Sequence, residues 1–369
     1  MIYLDSAATS LLKPPSVARA TAMAVRTMAS PGRGGHSAAM RAADTVFACR
    51  EAAAELFHVP EPERVVFTMN ATHALNIAIH SLVSPGDPVV ISGYEHNSVT
   101  RPLHALGAQV RVAESPLFDP EAAVSAFRRA LPGAKAAVCT MVSNVFGYLL
   151  PVREIAELCA AAGVPLIVDA SQAAGCVAFD AAALGAAFVG MPGHKGLLGP
   201  QGTGILLCFA QPKPLLCGGT GSQSVLQDMP EELPDRLEAG THNVPGIAGL
   251  LAGIRYLSAQ GVEHIERRER WLAQRLTAQL RAQPRLEVFA SPDPARQTAV
   301  LSVRCRDMDS ELLAQELARY GIAVRAGLHC APTAHRIMGT IENGAVRASP
   351  AAFNTAADIK ALAAALKKA

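Results

Sequence analysis

Residues 191–204 read MPGHKGLLGPQGTG and place Lys195 between Gly193-His194 and Gly196. Apolar sequence precedes this stretch (residues 185–191) and a Gly-rich turn follows it. Lysine rarely goes inside a protein unless it is paired or chemically used. Of the seven lysines, Lys13, Lys135, Lys213, Lys360, Lys367 and Lys368 sit in polar, Pro-flanked or terminal contexts that read as surface. Lys195 is the exception. A desolvated lysine has a lowered pKa and attacks carbonyl carbon, which is the Schiff-base use of this side chain. Taken alone, the stretch fits that use and a surface lysine in a Gly-rich turn about equally.

Working outward, short apolar runs at 65–68, 88–92, 109–113, 136–142, 165–169, 187–191 and 204–209 read as strands. Between most of them lie helical patterns at 39–57, 71–82, 97–106, 119–131 and 152–162. Strands alternating with helices predict an α/β fold with a mainly parallel sheet covered on both faces. Ligands of such sheets bind at strand C-terminal ends. Asn144, Asp169 and Lys195 fall there, and His96 follows the strand at 88–92. Thr72-His73 opens a helix after a strand; that position suits an anion, and equally an ordinary Asn/Thr cap. A helix at 246–260 leads to an α+β unit with helices at 265–283, 310–320 and 357–367 and strands near 286–289 and 298–303. The expected division is a large domain, 15–255, and a small one built from 1–14 plus 256–369.

Half of the 369 residues are hydrophobic and 17% are charged, enough apolar sequence for a sizeable core. The net charge of +2 gives no reason to expect nucleic acid or an anionic membrane as partner. No apolar run reaches bilayer length, and the start lacks a basic, apolar leader. The expectation is a soluble, cytoplasmic protein. The eight cysteines follow neither a zinc-site nor a disulfide spacing, so no metal is expected. Most lie in apolar surroundings and read as inert thiols. Cys330 differs: it lies in a Gly/Ala-flanked loop with Arg325 and His329 close in sequence, and positive neighbours favour a thiolate.

These motifs together resemble the class V aminotransferase superfamily of pyridoxal-phosphate enzymes, specifically its cysteine desulfurases. The carriers are Tyr3-Leu4-Asp5-Ser6-Ala7-Ala8-Thr9, Val168-Asp169 with Ser171-Gln172, Gly193-His194-Lys195, and Asn354-Thr355. Arg325-x-Gly327-x-His329-Cys330-Ala331 with Arg347-Ala348-Ser349 resembles the group II desulfurases and selenocysteine lyases. The resemblance implies a fold type I architecture, a large α/β/α domain with a smaller α+β C-terminal domain. It implies pyridoxal 5'-phosphate on Lys195, Asp169 beside the ring nitrogen, Gln172 on the ring hydroxyl and His96 over the ring face. The phosphate would lie at Thr72-His73 with His194, and Thr241 would reach it from the other subunit of a homodimer. Arg347, with Asn144 and Arg325, would bind the carboxylate of L-cysteine or L-selenocysteine. Cys330 would take the sulfur as a persulfide for a sulfur-acceptor protein, releasing alanine. The rival readings are another lyase or aminotransferase with Cys330 incidental, and a catalytically weak subunit that binds a sulfur carrier. Three departures stand out: Pro192 where many relatives carry a serine, His73 where an acid is common, and Leu328 where a histidine is frequent. Pro192 removes a phosphate donor, which Ser171 or the loop at 218–222 would have to replace.

Overall fold

The computed structural model describes residues 1–32 and 34–368. Seven strands form the main sheet: β2 (Val65–Thr68), β3 (Pro88–Ser92), β4 (Gln109–Ala113), β5 (Ala136–Thr140), β6 (Leu166–Asp169), β7 (Phe188–Pro192) and β8 (Gly204–Cys208). Their order is β2-β8-β7-β6-β5-β3-β4. Pairing is parallel from β4 through β7, whereas β8 runs antiparallel to both β7 and β2. Side chains alternate between the two faces, as period two demands. Val66, Ile91, Val138, Ile167 and Leu206 enter one buried cluster. Their neighbours Val65, Val90, Ala137, Leu166 and Leu207 enter the other.

Helices α1 (Pro15–Thr27), α2 (Ser37–Leu56), α3 (Ala71–Leu82), α4 (Asn97–Ala105), α5 (Pro120–Ala130), α6 (Val152–Ala161) and α7 (Val244–Gln260) accompany this sheet. Their starts follow from local chemistry. Asn70 caps α3 by accepting from the His73 N–H, and Asp119 caps α5 ahead of Pro120. Gly261, at φ +79°, separates α7 from α8 (Val262–Leu280).

A second core gathers side chains from α8, β9 (Leu286–Phe289), β10 (Leu301–Cys305), α9 (Ser310–Arg319), β11 (Ile322–Ala323), β12 (Val346–Ala348) and α11 (Ala356–Leu366). Strands β9, β10 and β12 form an antiparallel sheet. The short helix α10 (Pro332–Ile337) follows Cys330. Strand β1 (Ile2–Tyr3) pairs in parallel with β11, and Leu4 lies in this second core. One expected strand shifts: the run at 298–303 pairs only from Leu301, because Thr298 is held by the Gly147 carbonyl instead.

Candidate active site

The C-terminal ends of β2, β3, β5, β6 and β7 converge on one cavity. Its walls include Thr72, His96, Asn144, Asp169, Gln172 and Lys195. Pro192, Ser98, Ser171 and His194 also face it. Lys195 sits in the connection between β7 and β8, not at a strand-to-helix crossover. Both glycines beside it are sterically required. A Cβ on Gly193 would collide with the Thr203 hydroxyl, and one on Gly196 with the Ala174 carbonyl. Desolvation lowers the Lys195 pKa to about 8, against the attraction of Asp169.

Asp169 is buried, with Oδ1 accepting the Ser171 N–H at 2.9 Å. Gln172 donates Nε2–H to the Ala7 carbonyl at 2.9 Å. His96 caps α4: Nδ1 accepts the Ser98 N–H at 3.0 Å, which assigns the ring proton to Nε2. Burial lowers its pKa. The Ser98 hydroxyl lies 2.9 Å from His96 Nδ1 and 2.8 Å from the Thr72 hydroxyl. His194 places Nδ1 3.0 Å from the Thr9 hydroxyl, and burial followed by the Lys195 charge lowers its pKa to about 4.

Arg347 is buried in β12, and its fork is spoken for. Nη2 pairs with Asp5 Oδ1 at 2.9 Å, Nη1 donates to the Asn144 carbonyl at 2.9 Å, and Nε has no partner among the described residues. Asn144 donates its own Nδ2–H to the His329 carbonyl at 2.7 Å. The Asn97 N–H donates to the Cys330 carbonyl at 2.7 Å. The Cys330 turn is therefore docked on Asn144, which lines the cavity, and on Asn97, which lies between the lining residues His96 and Ser98. His329 and Cys330 are both left-handed, at φ +49° and +57°. That costs roughly 1–2 kcal/mol per non-glycine residue unless local contacts compensate. Cys330 is solvent-exposed.

Several sequence expectations need correction. His329 is not a positive neighbour of Cys330: it is buried, and its pKa is lowered to about 2, first by burial and then by Arg347. Arg325 is exposed, and its backbone pairs with Arg347. Lys13 is not an ordinary surface lysine. It donates to the Ser10 hydroxyl at 2.5 Å, and burial lowers its pKa to about 8. His73 does not face the Lys195 cavity: its N–H is spent on Asn70, and Nδ1 accepts from the Met69 N–H. It lines a separate cavity with Thr241, His242 and Glu238, where Glu238 makes a buried ion pair with Arg50. Of the two donors offered to replace a hydroxyl at Pro192, Ser171 faces the Lys195 cavity and the loop at 218–222 does not.

Sequence reasoning missed Ser98, Asp5 as the partner of Arg347, and Glu95. Glu95 is fully buried beside His96. Its Oε1 accepts from the Ser92 hydroxyl at 2.6 Å and the Thr140 N–H at 2.7 Å, and burial raises its pKa to about 8. A charged residue directly before His96 was the available signal.

Residues 2–362 match the sequence profile of the family described as aminotransferase class-V. The chain belongs to this family. It is 34% identical to a Methanothermobacter thermautotrophicus protein named "Probable cysteine desulfurase", over 98% of this chain and 92% of that protein. It is 31% identical to a cysteine desulfurase of Serratia proteamaculans, over 100% and 93%. An apo cysteine desulfurase from Thermococcus onnurineus superposes with a TM-score of 0.90 at 29% identity, over 100% of this chain and 94% of that one. The class V fold is thus a type I α/β architecture with helices on both faces of a mostly parallel sheet.

Proposed function

We propose that this class V family member is a pyridoxal-phosphate-dependent cysteine desulfurase, converting L-cysteine to L-alanine with a persulfide on Cys330. The observation that carries the reading is a desolvated Lys195 and a buried Asp169 in one cavity, with the Cys330 turn docked on its rim through Asn97 and Asn144. The cavity's donor set suits the cofactor. Asp169 offers a carboxylate oxygen to a ring nitrogen, and Gln172 lies beside it. The Ala71 and Thr72 N–H groups at the start of α3, with the Thr72 and Ser98 hydroxyls, suit a phosphate. When bound, the cofactor would supply an electron sink for carbon bearing the amino group.

The protein's own groups do the rest. Lys195, deprotonated in part near neutral pH, moves the proton at the substrate Cα, and His96 Nε2–H stands as a further acid. Arg347, whose Nη groups are held by Asp5 and by the Asn144 carbonyl at the cavity wall, is the candidate for the substrate carboxylate and would exchange one of these partners for it. The Cys330 thiolate attacks the substrate sulfur. The S–S bond forms as the C–S bond breaks, the electron pair stays with carbon, and protonation of that carbon gives alanine. The persulfide then passes to an acceptor protein. Thr241, which lines a separate cavity from its own chain's Lys195, suits a homodimer in which it serves the partner subunit's cofactor. A cytoplasmic location accords with no helix among the described residues being long and apolar enough to cross a membrane.

Sulfide and alanine release from L-cysteine tests the reading. Cys330→Ser should abolish both while the cofactor remains bound. Full turnover by that variant would refute it.

A further inference from the structure

We propose that His329 and His335 are positioning residues for Cys330, a sealed imidazole pair that fixes the thiol-bearing turn on the cavity rim. The proposal rests on the desulfurase reading for its catalytic consequence, and on geometry for everything else.

Two consecutive left-handed residues without glycine do not hold themselves. Their carbonyls are pinned by Asn144 and Asn97. Those contacts fix the outer side of the turn. The inner side is held by the His329 ring, whose Nε2 lies 3.1 Å from the Ala345 carbonyl. A carbonyl only accepts, so Nε2 carries the proton and Nδ1 is left as an acceptor. Ala345 directly precedes β12, which carries Arg347. This hydrogen bond ties the His329 ring to the segment that carries the guanidinium, beside the links made by Asn144 and the Arg325–Arg347 backbone pair.

His335, on α10, supplies the platform. It is fully buried, and its ring centroid lies 5.7 Å from that of His329 at 35°. Its ring also lies 5.8 Å from that of Phe146. Its Nδ1 lies 2.8 Å from the Thr340 hydroxyl. His329 Nδ1 and His335 Nε2 are buried and have no partner among the described residues. Unpaired buried polar atoms are a cost that an apolar side chain of the same size avoids. Two such rings side by side, one of them on the residue next to the exposed Cys330, point to orientation of the turn as their role.

The test uses the full-length holoenzyme. In His329→Ala, cofactor affinity and KM for L-cysteine should stay within about twofold, while kcat falls roughly tenfold or more. Alkylation of Cys330 by iodoacetamide, followed on its own peptide to exclude the exposed Cys217, should accelerate about threefold or more as the turn loosens. His329→Gln, which keeps an N–H donor near the Nε2 position, should restore both values. His335→Leu, which fills the space without a polar ring, should give a smaller change of the same kind and serves if His329→Ala does not fold. Unchanged alkylation in the His329→Ala and His335→Leu proteins overturns the proposal, as does loss of cofactor affinity or failure of glutamine to restore. Alkylation needs no turnover. A wild-type protein that makes neither sulfide nor alanine would sink the desulfurase reading and still leave the pair to be judged.

Discussion

Asp5 and Arg347 form an ion pair at 2.9 Å between the first loop of the chain and the last strand of the second core. The guanidinium is almost wholly buried and the carboxylate mostly so. Burial lowers the Arg347 pKa and Asp5 opposes that shift. Removing the acid would strand a buried charge, which typically costs roughly 3–5 kcal/mol. Asp5 retains some solvent contact, so Asp5→Asn should cost about 3 kcal/mol, read from urea unfolding midpoints. An unchanged midpoint would mean that the pair contributes nothing to the fold.

Lys195 should capture pyridoxal phosphate faster as pH rises. Its pKa is lowered to about 8, so the nucleophilic free amine becomes dominant above that value. The rate at which yellow colour develops in cofactor-free protein should climb through pH 8 and then level off. Lys195→Ala should not colour. Lys13→Arg is the necessary control, because Lys13 shares a pKa of about 8. A climb that moves with Lys13 and not with Lys195 would reverse the assignment.

Stability should fall on both the acid and the alkaline side, for different reasons. Glu95 has a folded pKa of about 8, above its unfolded value, so its contribution is complete below about pH 4.5 and is lost as pH rises through 8. His335 has a folded pKa of about 4, below its unfolded value. Its neutral form favours folding fully above about pH 6.5, and that benefit, on the order of 3 kcal/mol, is lost as pH falls toward 4. Urea midpoints of Glu95→Gln should therefore vary less than those of wild type between pH 5 and 8. Superimposed curves would show that Glu95 is ionised in the fold.

Pro192 brings no hydroxyl to the cavity wall, and Ser98 with Thr72 provides a hydroxyl pair on the same cavity. One added hydrogen bond is worth about 1 kcal/mol, so Pro192→Ser should lower the dissociation constant for pyridoxal phosphate roughly fivefold. Ser98→Ala should raise it by a similar factor. Fluorescence titration of the cofactor measures both, and no change in Ser98→Ala would remove that hydroxyl from the phosphate's surroundings.

Much of this arrangement was readable in residue order. Strands β2, β3, β4 and β9 fall where the apolar runs place them, Asp169 ends β6 and Lys195 follows the end of β7. What order could not reveal depends on long-range contacts. The direction of β8 was hidden because its residues are buried on both faces and give no alternation. Asp5 and Arg347 meet across almost the whole chain, and no local pattern links them. His329 was read as a charge because spacing says nothing of burial, and burial is what removes the proton. Lys13 looked like surface because Pro14 and Pro15 follow it, yet the fold turns it toward Ser10.

The pairing of β1 with β11 has a bearing on how the protein is made. On the ribosome, Ile2 and Tyr3 cannot find their partners until Ile322 and Ala323 have been synthesised, about 320 residues later. Asp5 waits longer still, for Arg347, and the Ser6 N–H for the Ser349 carbonyl. A nascent chain can thus form the main sheet while the wall supplied by its first ten residues stays open. The wall beside Lys195 is therefore completed only after Arg347 and Ser349 have been made, about 150 residues later than the lysine itself.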